Sequence, residues 1–284
     1  MRIGQYDLYI VETGRFALDG GAMFGVVPKT LWEKRNPPDD RNRIALAARA
    51  LLLKGGGRIV LIDVGLGTKF DEKLRSIYKV DMSGSDLVRS LAHHSVRPDQ
   101  VTDVILTHLH FDHAGGATSV VEGRVVPTFP MATYWVQQRH WSAACAPTER
   151  DRASFFPEDF LPLREHGLLN FTDGEGEILS GISCRLVHGH TTALQCPLIS
   201  DGKNAVFYCA DLVPTVSHIA LPWIMAYDLR PLVTLEEKRA ILGTAADEGW
   251  IVCFEHDPGV AGARLERTEK GIVIGQRVEF NGVA

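Results

Sequence analysis

Short runs of β-branched residues alternate with longer amphipathic stretches along this chain. The run at 6–11 and the run at 58–63 (RIVLID) are dense in Ile, Val and Leu, and the second breaks at Val64-Gly65-Leu66-Gly67, a turn following a buried strand. Ser85 and Asp86 open a stretch through His94 that sets Leu87, Val88 and Leu91 on one helical face. A buried strand at 103–107 (DVILT) follows, giving a strand, helix, strand order. Further strands are predicted at 183–187, 205–209 (AVFYC) and 250–254 (WIVCF), the last preceded by a helix capped by Thr234 with Glu237 and ending at Gly249. Residues 139–170 carry Pro147, Pro157 and Pro162 among mixed charges and read as a partly helical insertion at the surface. The pattern is α/β, and no repeat or linker divides it, so the expectation is one domain over residues 1–284.

Composition adds exclusions. Hydrophobic residues make up 45% and charged residues 23%, which suits a packed core, and the net charge of -5 comes with no lysine or arginine block, which argues against nucleic acid as a partner. Tyr6 and Asp7 interrupt the first residues where a signal peptide needs an apolar core, and Arg49 interrupts the most apolar stretch, 44–53. Neither secretion nor membrane insertion is expected. The five cysteines (Cys145, Cys184, Cys196, Cys209, Cys253) are odd in number, scattered and without a CxxC pair, which predicts small buried apolar groups in a reducing cytoplasm.

The chemistry is concentrated in Thr107-His108-Leu109-His110-Phe111-Asp112-His113, directly after the DVIL strand, where loops of α/β sheets converge on ligands. Histidines at i and i+2 on extended chain point the same way, whereas Asp112 and His113, past the bend, face a second point; that pattern suits two metal ions. Further donors also follow predicted strands: His188 and His190 after 183–187, Asp211 after AVFYC, and Glu255-His256-Asp257 after WIVCF. Asp211 suits a bridge, because a carboxylate has two oxygens and an imidazole binds one ion through its usual nitrogen. His188 and His190 compete for one place. His93, His94, His140 and His166 are read as surface residues.

THLHFDHAGG resembles the HxHxDH signature of the metallo-β-lactamase superfamily, and Gly189-His190-Thr191, Ala210-Asp211 and Glu255-His256-Asp257 are similar to its later metal motifs in the same order. Asp19-Gly20-Gly21-Ala22-Met23-Phe24-Gly25, Val27-Pro28-Lys29, Trp32 and the 221–228 segment LPWIMAYD resemble the YtnP-type quorum-quenching lactonases, relatives of the N-acyl-homoserine lactonases. The resemblance implies an αββα sandwich, two mixed sheets flanked by helices. It implies one metal on His108, His110 and His190, another on Asp112, His113 and His256, and Asp211 between them. The glycine-histidine-threonine match selects His190 over His188. Ala193 and Leu194 depart from the GH[ST]xGH form of the family, and Pro214 stands where many homoserine-lactonases carry a tyrosine, which loosens the inference about the acyl-lactone.

The activity implied is lactone opening by a metal-bridging hydroxide, with Asp211 and Asp112 as catalytic residues, Asp112 orienting the hydroxide and passing a proton to the leaving oxygen. The cofactor is two divalent ions, zinc by ligand type, with iron, manganese or cobalt compatible. Relatives of this type imply a homodimer. Candidate substrate contacts are Met23, Phe24, His218, Trp223, Met225 and Tyr227, each of which fits either a pocket wall or an interior position. Phosphotriesterase or other ester or thioester hydrolysis by the same ion pair is the alternative activity, and a non-catalytic metal-stapled module the alternative class.

Overall fold

The computed structural model describes residues 1–280; residues 281–284 lie outside them. One seven-stranded sheet contains β1 (Arg2–Ile3), β2 (Tyr6–Asp19), β3 (Arg43–Gly55), β4 (Arg58–Ile62), β5 (Asp103–Ile105), β8 (Thr133–Gln137) and β9 (Leu169–Thr172), in that order. Its first four strands pair antiparallel and β4, β5, β8 and β9 pair parallel. The second seven-stranded sheet contains β10 (Gly176–Leu179), β11 (Ile182–Val187), β12 (Leu194–Ser200), β13 (Ala205–Tyr208), β14 (Ile251–Cys253), β15 (Gly262–Thr268) and β16 (Gly271–Arg277), again in chain order, with β13 and β14 its one parallel pair among the described residues. A separate hairpin is formed by β6 (Thr118–Val121) and β7 (Arg124–Pro127).

Strand β3 shows why the sheets must be covered on both faces. Its side chains alternate, so Leu51 and Leu53 enter the core between the sheets with Leu8, Ile10, Val206 and Tyr208. Ala50 and Leu52 face the other way, into a second core with Leu61, Val104, Leu87 and Leu91. That outer core is closed by α4 (Leu87–His93), α6 (Gln138–Cys145) and α7 (Pro157–Glu165), while α8 (Pro231–Asp247) covers the second sheet through Leu242 and Ala245. The result is an αββα sandwich. Short helices α1 (Gly20–Phe24), α2 (Lys29–Trp32), α3 (Glu72–Tyr78) and α5 (Phe111–Ala114) lie in connections.

Several expectations need correction. Residues 139–170 are not a surface insertion: Trp141, Ala144, Phe160 and Leu163 are buried in the outer core, so α6 and α7 are a layer of the fold. On α4 the buried face is Leu87, Ser90 and Leu91, with Val88 exposed; Ser90 Oγ donates to the Glu12 carbonyl at 2.6 Å. Strand β2 runs on to Asp19 because its pairing with β3 resumes after a bulge between Glu12 and Gly14. Helix α8 starts at Pro231, its φ set for a first turn, so Thr234 is interior; Glu237 instead accepts the backbone N–H groups of His188 and Gly189 at 2.6 and 3.0 Å. Cys145 is exposed; the other four cysteines are buried and all five are free. Among the described residues no helix is long and apolar enough to cross a membrane.

The loop after β4 lies backbone to backbone against the segment after α5. Gly116 N–H donates to Gly65 O at 3.1 Å, and a Cβ at Gly67, whose φ is +66°, would stand 2.1 Å from Gly115 O. Gly67→Ala is therefore expected to lower stability by at least about 2 kcal/mol, combining left-handed strain with a backbone overlap that no rotamer relieves. Urea denaturation of both proteins checks this, and equal midpoints would contradict it.

Candidate metal centre

All the candidate donors gather at one end of the sandwich. His108 and His110 follow β5, Asp112 and His113 lie on α5, His190 sits in the loop between β11 and β12, Asp211 follows β13 and His256 follows β14. The parallel pairs β4/β5 and β13/β14 both end here, one from each sheet, so connections that leave their carboxyl ends meet across the interface. Two of these turns use left-handed backbone at non-glycine residues, Asp63 at φ 53° and Ala210 at φ 42°, which reverse the chain immediately after β4 and just before Asp211.

Two groups of inward atoms result. In the first, His110 Nδ1 lies 3.0 Å from His108 Nε2 and 3.2 Å from His190 Nε2, and Asp211 Oδ2 lies 3.1 Å from His190 Nε2 and 3.9 Å from His108 Nε2. In the second, His113 Nε2 and His256 Nε2 are 3.2 Å apart, with Asp211 Oδ1 at 3.5 and 3.3 Å from them and Asp112 oxygens at 3.9 and 3.7 Å. Tetrahedral ligands at about 2.0–2.1 Å from an ion stand roughly 3.4 Å from one another, so both groups have the spacing to hold a cation.

The outward atoms decide which nitrogens are free. His190 Nδ1 bonds Asp228 Oδ1 at 2.8 Å, His256 Nδ1 bonds the Ala47 carbonyl at 2.9 Å, and His113 Nδ1 lies 3.0 Å from Asp63 Oδ2 and 2.9 Å from Glu255 Oε2. Thr107 Oγ1 donates to Asp63 Oδ2 at 2.7 Å and so accepts from His108 Nδ1 at 3.0 Å. Each of these rings spends its N–H outward and turns the Nε2 lone pair inward, an assignment that follows from the partners. Lone pairs facing lone pairs beside a carboxylate need a cation, and Asp211 Oδ1 and His110 Nε2 are buried without a hydrogen-bond partner.

Titration points the same way. Burial, followed by the neighbouring histidines, holds His108 and His110 well below the usual range and therefore neutral, the form that ligates. Burial opposes charge on His190 as well, but Asp211 and Asp228 outweigh it and lift its pKa to about 10. Burial pushes Glu255 up to about 8 although His113 opposes this. In the absence of cations the centre carries more carboxylate than it can neutralise without drawing protons onto its histidines.

The sequence of residues 44–256 matches the model of the metallo-beta-lactamase superfamily. The chain belongs to the metallo-beta-lactamase superfamily. Among solved structures, a probable metal-dependent hydrolase from Staphylococcus aureus superposes with a TM-score of 0.88 at 27% identity, covering 98% of this chain and 100% of that one. AidC, a dizinc quorum-quenching lactonase in complex with a product, N-hexanoyl-L-homoserine, gives a TM-score of 0.81 at 20% identity over 99% and 97% of the two chains. The hydrolase AbOPH, in the beta-lactamase superfamily, gives 0.78 at 18% over 98% and 100%. No curated protein matches the sequence. Fold, metal-binding cluster and family identify this superfamily member as a hydrolase.

Over the donors of this metallo-beta-lactamase superfamily member opens a cavity of about 310 Å³. His110, Asp112, His190, Asp211 and His256 form its floor; Leu18, Leu46, Phe111, Met225 and Leu229 supply apolar wall. Met23 and Tyr227 line it too, Met23 buried and Tyr227 38% exposed at the mouth. Phe24, His218 and Trp223 do not line it, which corrects their reading as substrate contacts. Phe24 is fully buried, stacked between Trp32 and His218 with ring centroids 5.2 and 4.9 Å away and edge-on to Trp223 at 5.5 Å, so the three back the wall rather than face the cavity. His188 is half-buried, accepts Ala193 N–H at 3.2 Å and stands outside both donor groups.

His140 is the plainest correction. It is fully buried, accepts Leu109 N–H at Nε2 (2.8 Å) and bonds the Thr192 carbonyl through Nδ1 (2.8 Å), tying the His108–His113 loop to the His190 loop. His94 is half-buried, 3.3 Å from Ile10 O, and His93 and His166 are exposed. Sequence reading gave no role at the centre to Asp63 or Asp228, read Glu237 as part of a helix cap and named Glu255 only within the Glu255-His256-Asp257 run. The signal for Asp228 was present, at the end of the LPWIMAYD motif, whereas His140 follows no strand-end motif and lacks one.

His140→Ala leaves the buried Leu109 N–H and the part-buried Thr192 carbonyl unpaired and a cavity beside the centre, an expected loss of about 3 kcal/mol with weakened metal retention. Calorimetry with elemental analysis of the same sample checks both. His218 gives a pH prediction: burial lowers its pKa from 6.5 to about 3, so the unfolded chain binds the extra proton. Its contribution is whole above about pH 6.5 and is lost as pH falls toward 3. Urea midpoints between pH 7 and 4 should fall more steeply for the parent than for His218→Gln, and parallel profiles would contradict the assignment.

Proposed function

We propose that this chain is a dinuclear metal-dependent hydrolase that opens lactone rings, with N-acyl-homoserine lactones as the substrate class. His108, His110 and His190 hold one divalent ion, Asp112, His113 and His256 hold the other, and Asp211 bridges them. The observation that carries this reading is the Asp211 carboxylate, with Oδ2 3.1 Å from His190 Nε2 and Oδ1 3.3 Å from His256 Nε2, one oxygen turned to each donor group. Zinc is the ion the imidazole and carboxylate donors favour, and iron, manganese or cobalt suit the same set. Two such ions, when bound, bring the pKa of a shared water toward about 7 and polarise an ester carbonyl.

The protein's own residues supply the remainder. Asp112 lies on the cavity floor beside Asp211, where its carboxylate can orient the attacking water, take its proton and return it to the ring oxygen as the C–O bond breaks. Asp63, Asp228, Thr107 and the Ala47 carbonyl hold the rings in register. Leu18, Leu46, Phe111 and Met225 keep water from the reacting carbonyl and suit an acyl chain. The similarity in fold to AidC supports a lactone over a phosphotriester.

Ring opening of N-hexanoyl-homoserine lactone, measured beside hydrolysis of a nitrophenyl phosphotriester and with metal content determined on the same preparation, tests the proposal. Chelation should abolish lactone turnover, added zinc or manganese should restore it, and Asp211→Ala should lower kcat/KM about a thousandfold, equivalent to about 4 kcal/mol. Undiminished turnover by metal-free protein, or cleavage of the phosphotriester with the lactone untouched, would overturn it.

A further inference from the structure

Part of the cavity lining is built from the segment between α6 and α7, through Arg150, Asp151, Ala153 and Ser154. Arg150 is exposed on its solvent side and lines the cavity on the other. Its Nη2 donates to two carbonyls across the mouth, Ala226 O at 2.6 Å and Asp228 O at 3.3 Å. Among the described residues its Nε and Nη1 have no partner and it forms no ion pair. The adjacent Asp151 forms no ion pair with it, and Asp151 Oδ1 accepts Thr148 N–H at 2.7 Å and Thr148 Oγ1 at 2.5 Å. Ser154 Oγ, on the same wall, likewise makes no hydrogen bond among the described residues.

An arginine clamped by one nitrogen keeps its plane fixed while its other donors point where the clamp leaves them. Here the clamp ties it to the loop that carries Met225, Tyr227 and Asp228, so Arg150 is held in a cavity lining that also contains Asp151, Ser154 and Tyr227 beside the apolar Leu18, Leu46, Phe111 and Met225. A molecule bound in the cavity therefore has both aliphatic wall and unspent donors within its lining. Resting on the lactonase reading, we propose that Arg150, together with Ser154, is a specificity-determining residue that donates a hydrogen bond to an acceptor on the arm of the substrate, an amide or keto oxygen outside the scissile ring. The cavity then prefers acylamino-lactones to lactones bearing a plain alkyl arm.

The test compares the metal-loaded parent with Arg150→Met and Arg150→Lys on two substrates, N-hexanoyl-homoserine lactone and γ-decalactone, which has an alkyl arm without an acceptor. Melting temperature and metal content are measured on each protein. For Arg150→Met, KM for the acylamino-lactone should rise about tenfold with kcat within twofold, while KM for γ-decalactone stays within twofold. Arg150→Lys, which keeps a cation and one clamping bond, should fall between. Equal rises in KM on both substrates would make Arg150 a strap for the wall and overturn the proposal, as would no change on either. A parent that opens neither ring would instead sink the lactonase reading itself, and this proposal with it.

Discussion

Imidazole nitrogens that face one another across about 3 Å, with a carboxylate between them, cannot coexist in a dry interior unless every ring has placed its N–H elsewhere and a cation takes up the lone pairs. In this protein the outward placements are specific: Asp228 for His190, the Ala47 carbonyl for His256, Asp63 for His113 with the Glu255 carboxylate nearby, Thr107 for His108. Those partners come from both sheets and from the loop before α8. Closing the sandwich and building the centre are thus the same event, because neither sheet alone holds the donors and the groups that orient them.

The cavity wall depends on the floor through one residue. Asp228 accepts from His190 with its side chain and from Arg150 with its carbonyl, so the ring orientation of His190 and the position of the wall are set together. The same loop is fastened at its base by Lys238, which is buried and donates to the carbonyls of Ala220, Leu221 and Trp223 at 3.0, 3.3 and 2.8 Å. Burial lowers the pKa of Lys238 to about 7, with the charge of Asp228 opposing the shift only in part. Cavity-lining Met225 therefore stands on a built platform, and Phe24, His218 and Trp223 are its backing.

The reach of the sequence follows from which features are local. Strand cores and the HxHxDH cluster depend on residues within a few positions of one another, so RIVLID, DVILT and THLHFDH carry their meaning in the linear chain. The placement of Met23 inside the cavity and Phe24 behind it does not, because both belong to one short helix and only the neighbours Trp32 and His218 separate their roles. His140 was read as a surface histidine for the same reason: its partners, Leu109 N–H and the Thr192 carbonyl, are 31 and 52 residues away. Residues 139–170 looked like an insertion because their prolines and charges are local, while the apolar stripe of Trp141, Ala144, Phe160 and Leu163 acquires sense only against the outer face of β4 and β5.

By itself the sequence determined the α/β alternation, the family and the run of donors at strand ends, since hydrophobic period and motif spacing are properties of neighbouring residues. Tertiary structure alone decided which nitrogens turn inward, that Asp211 presents one oxygen to each donor group, and that Arg150 lines the cavity while bonded to the Asp228 carbonyl. Those are consequences of two sheets meeting, and the distances that define them join residues far apart in the chain.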